Sequence, residues 1–260
     1  MYTCASCTLR SCQKGGGDLP RNCPMRDPEF FDRLLERYWS EENHDFFVTS
    51  AAIESAGYCR WPRLKEIVEF SRSMHYQKLG LAFCAALKKE AAVVERVLRN
   101  NGFQVVSVIC KTGGLDKSRA GVPEECKLQP GQFEAMCNPI AQAELLNSQD
   151  TQFNICLGLC VGHDSLFYQY SKALVTTLVV KDRVLAHNPV GAIHYADTYF
   201  KDLLKGCPLG RNDMVKTPGE ADRVVCLPRR FTIQVIPSPF RARPSSYTGL
   251  TCFHGVCSFP

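Results

Sequence analysis

The stretch KLGLAFCAALKKEAAVVERVLRNNGFQVVSVIC, residues 78–110, decides the fold. Lys78–Phe83 is a short apolar run of strand length, and it ends in Cys84. The period then changes: Leu87, Ala91, Val94, Val97 and Leu98 share one face at helical spacing, and Asn101-Gly102 closes that helix. Phe103–Ile109 follows as a β-branched run ending in Cys110. Strands that are apolar throughout, joined by a helix, pair in parallel and are covered on both faces.

The same alternation continues downstream. A helix is expected from Pro139 to Leu146, a strand at Phe153–Leu159 ending near Cys160, a helix from about Ser165, a strand at Val175–Val180 and a helix near Val190–Leu204. Upstream, Phe30, Phe31, Leu34, Leu35 and Tyr38 fall on helical spacing, as do Leu64, Ile67, Val68 and Phe70 after Pro62. The reading is an α/β fold, doubly wound, with a mostly parallel sheet over residues 28–206. A Cys-rich metal-binding leader, residues 1–27, precedes it, and a Pro-rich basic tail, 207–260, follows.

The chain has 260 residues, room for one large domain, and its 45% apolar and 22% charged residues are those of a globular protein. The tail holds seven of the fifteen Pro and seven Lys and Arg against three Asp and Glu, so nearly all of the net charge of +5 belongs to it. That placement speaks against a nucleic-acid binder. No apolar run approaches a membrane span. The first residues carry no basic segment followed by an apolar run, so a cytoplasmic protein is expected.

Fifteen cysteines are far more than an ordinary intracellular enzyme carries, and in a reducing cytoplasm thiols stay free, bind metal or do redox work. Residues 1–27 hold Cys4-x2-Cys7-x4-Cys12-x10-Cys23-Pro24 with almost nothing apolar to bury, so the segment needs a staple. Four thiolates suit tetrahedral zinc or a [4Fe–4S] cluster taking one thiolate per iron. Zinc ribbons favour two Cys-x2-Cys knuckles; three clustered cysteines and a distant Cys-Pro lie closer to ferredoxin usage.

A second set follows from the fold. Functional crevices of open parallel sheets lie beyond the carboxyl ends of the strands. Cys84, Cys110 and Cys160 end the first three strands, and Cys137 precedes a helix whose N-terminus favours a thiolate. His163, Asp164, Lys181 and Arg183 stand at the same edge, to support or contact something bound there, with Asn138 beside Cys137. His187 reads as a loop residue, and Cys59, Cys126 and Cys156 as structural. No Gly-x-Gly-x-x-Gly follows the first strand and no Walker-type loop occurs, so neither a dinucleotide site nor a P-loop is supported.

The Cys4-x2-Cys7 leader, Gly80-Leu81-Ala82-Phe83-Cys84, Cys137-Asn138-Pro139-Ile140-Ala141-Gln142-Ala143, Gly158-Leu159-Cys160-Val161-Gly162-His163-Asp164 and Lys181-Asp182-Arg183 with His187-Asn188-Pro189 carry a resemblance. Over residues 1–205 the chain resembles a prokaryotic family of predicted metal-binding proteins, domain of unknown function 1847. The resemblance implies metal binding without a settled activity. Residues 207–260 depart from the family pattern, which makes Cys207, Cys226, Cys252 and Cys257 poor ligands.

The expectation is thus an iron–sulfur protein with one or two [4Fe–4S] clusters and an electron-transfer or small redox role. Its partner would be a redox protein or a small molecule, with neither nucleic acid nor membrane involved. A zinc-stabilised binding module without enzymatic activity and a thiol enzyme using Cys160 with His163 are the alternatives.

Overall fold

Strands β1 (Lys78–Phe83), β2 (Gln104–Ile109), β3 (Phe153–Leu157) and β4 (Val175–Val179) pair in the order β2-β1-β3-β4, and every pairing is parallel. The computed structural model describes residues 1–205 and two short strands, 215–216 and 224–225. Helices α1 (Pro28–Tyr38), α2 (His44–Gly57) and α3 (Arg63–Ser73) precede the sheet. The others are α4 (Lys88–Asn100), α5 (Pro139–Asn147), α6 (His163–Tyr170) and the short α7 (Val190–His194). Residues 1–204 make one compact unit and 205–260 a second. In the second, Val215–Lys216 and Val224–Val225 pair antiparallel. Cys207, Cys226, Cys252, Cys257 and the rest of the basic tail lie outside the described residues.

The alternation of side chains along each strand divides the core into two layers. Leu79, Leu81, Val105, Ile155 and Leu157 meet Ile67, Val68 and Phe70 of α3 and Ala91, Val94 and Leu98 of α4. On the other face Ala82, Cys84, Cys110 and Cys156 meet Ala143 and Leu146 of α5 and Phe167 of α6. Both faces are covered, which is why the strands carry so few polar residues. Because β2 and β3 flank β1 on opposite sides, the winding direction reverses at β1, and the crevice of such a sheet opens at the carboxyl ends there.

Three differences from the sequence reading have local causes. Helix α2 was not expected because its apolar residues do not fall into one stripe; Phe46 and Ile53 pack on the core while Phe47 and Val48 stay exposed. The expected helix at 190–204 is α7 followed by turns and a 3₁₀ segment at Lys201–Lys205. Strand β3 stops at Leu157 because Gly158 takes φ +66. A Cβ on Gly158 would lie 2.2 Å from Leu87 Cδ1, so both the backbone conformation and the space require glycine.

Between β2 and α5 the chain runs from residue 111 to 138 with only two 3₁₀ turns, Lys117–Ala120 and Glu124–Cys126. Charges hold it together. The Lys127 ammonium, 4% exposed, meets Asp116 at 2.9 Å and Glu124 at 2.6 Å, and Lys117 pairs with Glu134. Glu134 N donates to Asp116 Oδ2 (2.8 Å) and Leu128 N to Glu134 Oε2 (2.7 Å). Hydrogen bonds from Ser118, then Lys127, hold the Asp116 carboxyl well below the usual carboxylate range.

Gly158→Ala should cost about 2 kcal/mol, since it joins a left-handed φ to a clash with Leu87; a lowered urea midpoint with unchanged slope is the readout. Lys127→Met should strip hydrogen-exchange protection from 115–136 while leaving β1 and β3 protected.

Candidate functional site

The register of the sheet builds the site. Phe83 is level with Ile109 on one side and Leu157 on the other. The hydrogen-bond ladder continues one residue further: Cys84 N donates to Leu157 O (3.1 Å) and Cys110 N to Phe83 O (2.8 Å). Cys84 and Cys110 therefore leave adjacent strands at the same level and on the same face. Asn138 N donates to Cys110 O (2.7 Å), which pins the chain entering α5 to the end of β2 and sets Cys137 beside it. After the Gly158 turn, Leu159 enters the core and Cys160 reaches the same edge, while His163 N donates to Cys160 O (3.0 Å) as α6 begins.

Cys84, Cys110, Cys137, Cys160, His163 and Gln142 thereby line one tight cavity, packed too closely to admit a water molecule. The cysteines form a connected set. Cys110 is hydrogen-bonded to Cys137 and to Cys84, and Ala85 N donates to Cys110 Sγ (3.3 Å). Sharing the Cys110 proton drives the pKa of Cys110 up and those of its neighbours down. Cys84 is lowered by Cys110 and further by Ala86 N and Lys181, and Cys137 is lowered by Cys110 and His163. The Cys137 contact in turn raises the His163 pKa. Arg183 Nη2 donates to Cys160 Sγ (3.1 Å). The edge is thus a wall of thiolate character balanced by an imidazole, a guanidinium and an ammonium.

Two further groups mark this cavity as chemically incomplete. Among the described residues, three buried side-chain polar atoms lack a hydrogen-bond partner, and two of them, Gln142 Oε1 and His163 Nδ1, belong to residues lining it. An orphaned buried acceptor or donor costs roughly 1–3 kcal/mol. As the side chains lie, no group of three or more His, Cys, Asp or Glu among the described residues is arranged to hold one metal ion.

The other expected residues separate into those at the cavity and those beside it. Lys181 and Arg183 reach thiols. Asn138 Oδ1 accepts from Ala141 N (3.2 Å), so Asn138 caps α5 and serves the site by holding Cys137. Asp164 Oδ1 accepts from Ser165 N (2.8 Å) in the first turn of α6. His187 Nδ1 accepts from Asp182 N (3.1 Å) within its own loop. His163 pairs with Cys137 rather than Cys160, so the nucleophile–base arrangement in this wall is Cys137 with His163. Cys156, with its pKa pushed up to about 11 by burial, is core, and Cys59 and Cys126 stand apart from the cavity. Gln142, which lines the cavity, and Lys111, whose charge also lowers the pKa of Cys137, are additions. Gln142 lies on the core-facing side of α5, one turn before Leu146, a placement that only the structure brings out.

In the leader, Cys4, Cys12 and Cys23 stand in or next to 3₁₀ turns, with Cys4 and Cys12 exposed and Cys7 and Cys23 half-buried. Cys7 N donates to Cys4 O (3.1 Å), making the tight turn a Cys-x2-Cys pair needs. Asn22 Nδ2 donates to Thr3 Oγ1 (2.7 Å) and Met1 O (3.2 Å), which ties the neighbour of Cys23 to the neighbour of Cys4. No described contact joins the four thiols.

A family model described as protein of unknown function (DUF1847) matches residues 23–178. An uncharacterized protein of Methanocaldococcus jannaschii, MJ0455, is 44% identical over 203 residues, covering 78% of this chain and 98% of its own length. The residues matched by the family model span all four cysteines of the cavity.

In metal-free protein, Cys137 should react with iodoacetamide at a nearly constant rate from pH 8 to pH 6, because its lowered pKa keeps the thiolate throughout. An ordinary thiol slows about tenfold per pH unit over that range. His163→Ala should restore part of that dependence, as mapped by mass spectrometry of the labelled peptide.

Proposed function

We propose that this chain, which belongs to the DUF1847 family, is a metal-binding protein whose thiolates Cys84, Cys110, Cys137 and Cys160 hold an iron–sulfur cluster. The observation that carries this reading is the meeting of four thiols from four separate segments around one small cavity at the carboxyl edge of the sheet.

The residues fit such a group in three respects. Thiolates are the soft donors that iron–sulfur clusters take, and a cubane asks for one per iron rather than for convergence on a single point. N–H groups already point at the sulfurs, from Ala85 to Cys110 and from Arg183 to Cys160, the kind of hydrogen bond that tunes cluster potentials. The orphaned Gln142 and His163 atoms belong to a wall that is unfinished without an occupant.

When bound, a cluster would supply one-electron exchange, in an electron-transfer or small redox role. The chain's own parts in that role are distinct. The four cysteines hold the group, and Lys181 and Arg183 offset its negative charge. Cys4, Cys7, Cys12 and Cys23 form a second donor set, for which the Cys-x2-Cys turn and the Asn22 tie speak. The eleven described cysteines form no disulfide, so their thiols are free to bind metal. A redox partner protein or a small molecule completes the reading.

Anaerobically purified protein should carry about eight iron and eight sulfide per chain if both donor sets are filled, or about four of each from the edge site alone. Cys110→Ser should lose the edge share and keep the leader share. A colourless protein holding stoichiometric zinc contradicts the iron–sulfur assignment, and one whose metal is untouched by Cys110→Ser contradicts the edge site itself.

A further inference from the structure

We propose that the α1–α2 hairpin is the interface for a second copy of this chain, with Trp39 of each copy seated in a cavity of the other. The metal reading above plays no part in this.

Helix α1 buries none of its eleven residues. Phe30, Phe31, Leu35 and Tyr38 stand on its apolar side, and with Trp39 at its C-cap and Phe47 of α2 they are 42–70% exposed. Tyr38 packs on Phe47 with ring centroids 4.7 Å apart, so the two helices carry one patch. An isolated helix of this length is marginal in water, and its stability comes from covering its apolar face. Five aromatic rings at that exposure and a leucine present about 500–600 Å² of apolar surface. That is the upper end of what a monomer leaves open, and most of the roughly 800 Å² that each partner brings to a standard interface.

The patch carries both a hole and a knob. Leu34, Arg37 and Tyr38 on one side and Asn43, Phe46 and Phe47 on the other line an open cavity of about 460 Å³. Most of that wall is apolar, yet two polar groups in it are uncommitted. No described ion pair or hydrogen bond engages the Arg37 guanidinium. Asn43 Nδ2 donates to Arg37 O (3.0 Å), while no described hydrogen bond uses Asn43 Oδ1. A flat ring with an N–H answers all three features: it fills apolar space, lies under a cation and donates to the acceptor. Among side chains that ring is indole. Trp39 follows Tyr38 in the chain, is 70% exposed, and stacks on His44 (ring centroids 4.9 Å) instead of lining the cavity of its own chain. A knob and a hole side by side on one surface are what a two-fold interface needs, since each copy then gives its ring and receives the other's.

Sedimentation velocity of the full chain, purified anaerobically, tests this over about 1–100 µM. A dimer is expected at the upper end. Trp39→Ala should weaken it about thirtyfold or more, the scale of a buried interface anchor, and Arg37→Ala about fivefold, the scale of one cation–π contact, with metal content unchanged in both. If Trp39→Ala does not fold, Trp61→Phe leaves Trp39 as the sole tryptophan. Its emission should then shift to the red over the dilution at which the dimer comes apart. A chain that stays monomeric at about 100 µM overturns the inference, as does a dimer indifferent to Trp39→Ala or an emission that dissociation leaves unchanged. A monomer that binds free indole in the cavity also overturns it, and assigns the cavity to a small aromatic ligand.

Discussion

The hydrogen-bond ladder of the parallel sheet runs one residue past its nominal end, and the site depends on that. Cys84 N to Leu157 O and Cys110 N to Phe83 O hold two cysteines level with each other on adjacent strands. The two-residue period of a strand turns both side chains to the α5–α6 face. The third bond of the series, Asn138 N to Cys110 O, adds Cys137, and the glycine turn at 158 adds Cys160. Backbone geometry thus gathers groups that side-chain attraction alone would not hold. Thiols in contact compete for protons, and unshared thiolates repel.

That competition explains the rest of the edge. A wall with more than one thiolate needs cations, and the loop of Lys181 and Arg183 and the start of α6 with His163 supply them. The segment from 111 to 138 has no core of its own. Its order comes from the Lys127–Asp116–Glu124 cluster and the Lys117–Glu134 pair, which keep an irregular stretch in place. A cavity bordered by two unsatisfied polar atoms is a cost to folding, and a site that receives a partner for them recovers it.

Much of this was legible in the sequence, for reasons that also show where legibility stops. Residues 78–110 change period sharply enough to mark strand, helix and strand, and a cysteine at each strand's end then falls at the functional edge of a doubly wound sheet. Cys137 was readable because Asn-Pro opens a helix. Gln142 was not, because a lone polar residue in a helix acquires meaning only once the buried face of that helix is known. The pairing of His163 with Cys137 was missed for a similar reason: Cys160 is nearer in the chain, but the start of α6 turns the imidazole toward the segment entering α5. The Lys127 cluster joins positions 3 and 11 residues apart without any period, and α2 lacks the single apolar stripe that periodicity detects.

Anomalous diffraction at the iron edge, from crystals of anaerobically purified protein, tests the central claim most directly. A strong peak is expected within the cavity bounded by Cys84, Cys110, Cys137 and Cys160. Iron confined to the leader, or a cavity whose thiols remain packed against one another in iron-loaded crystals, would contradict it.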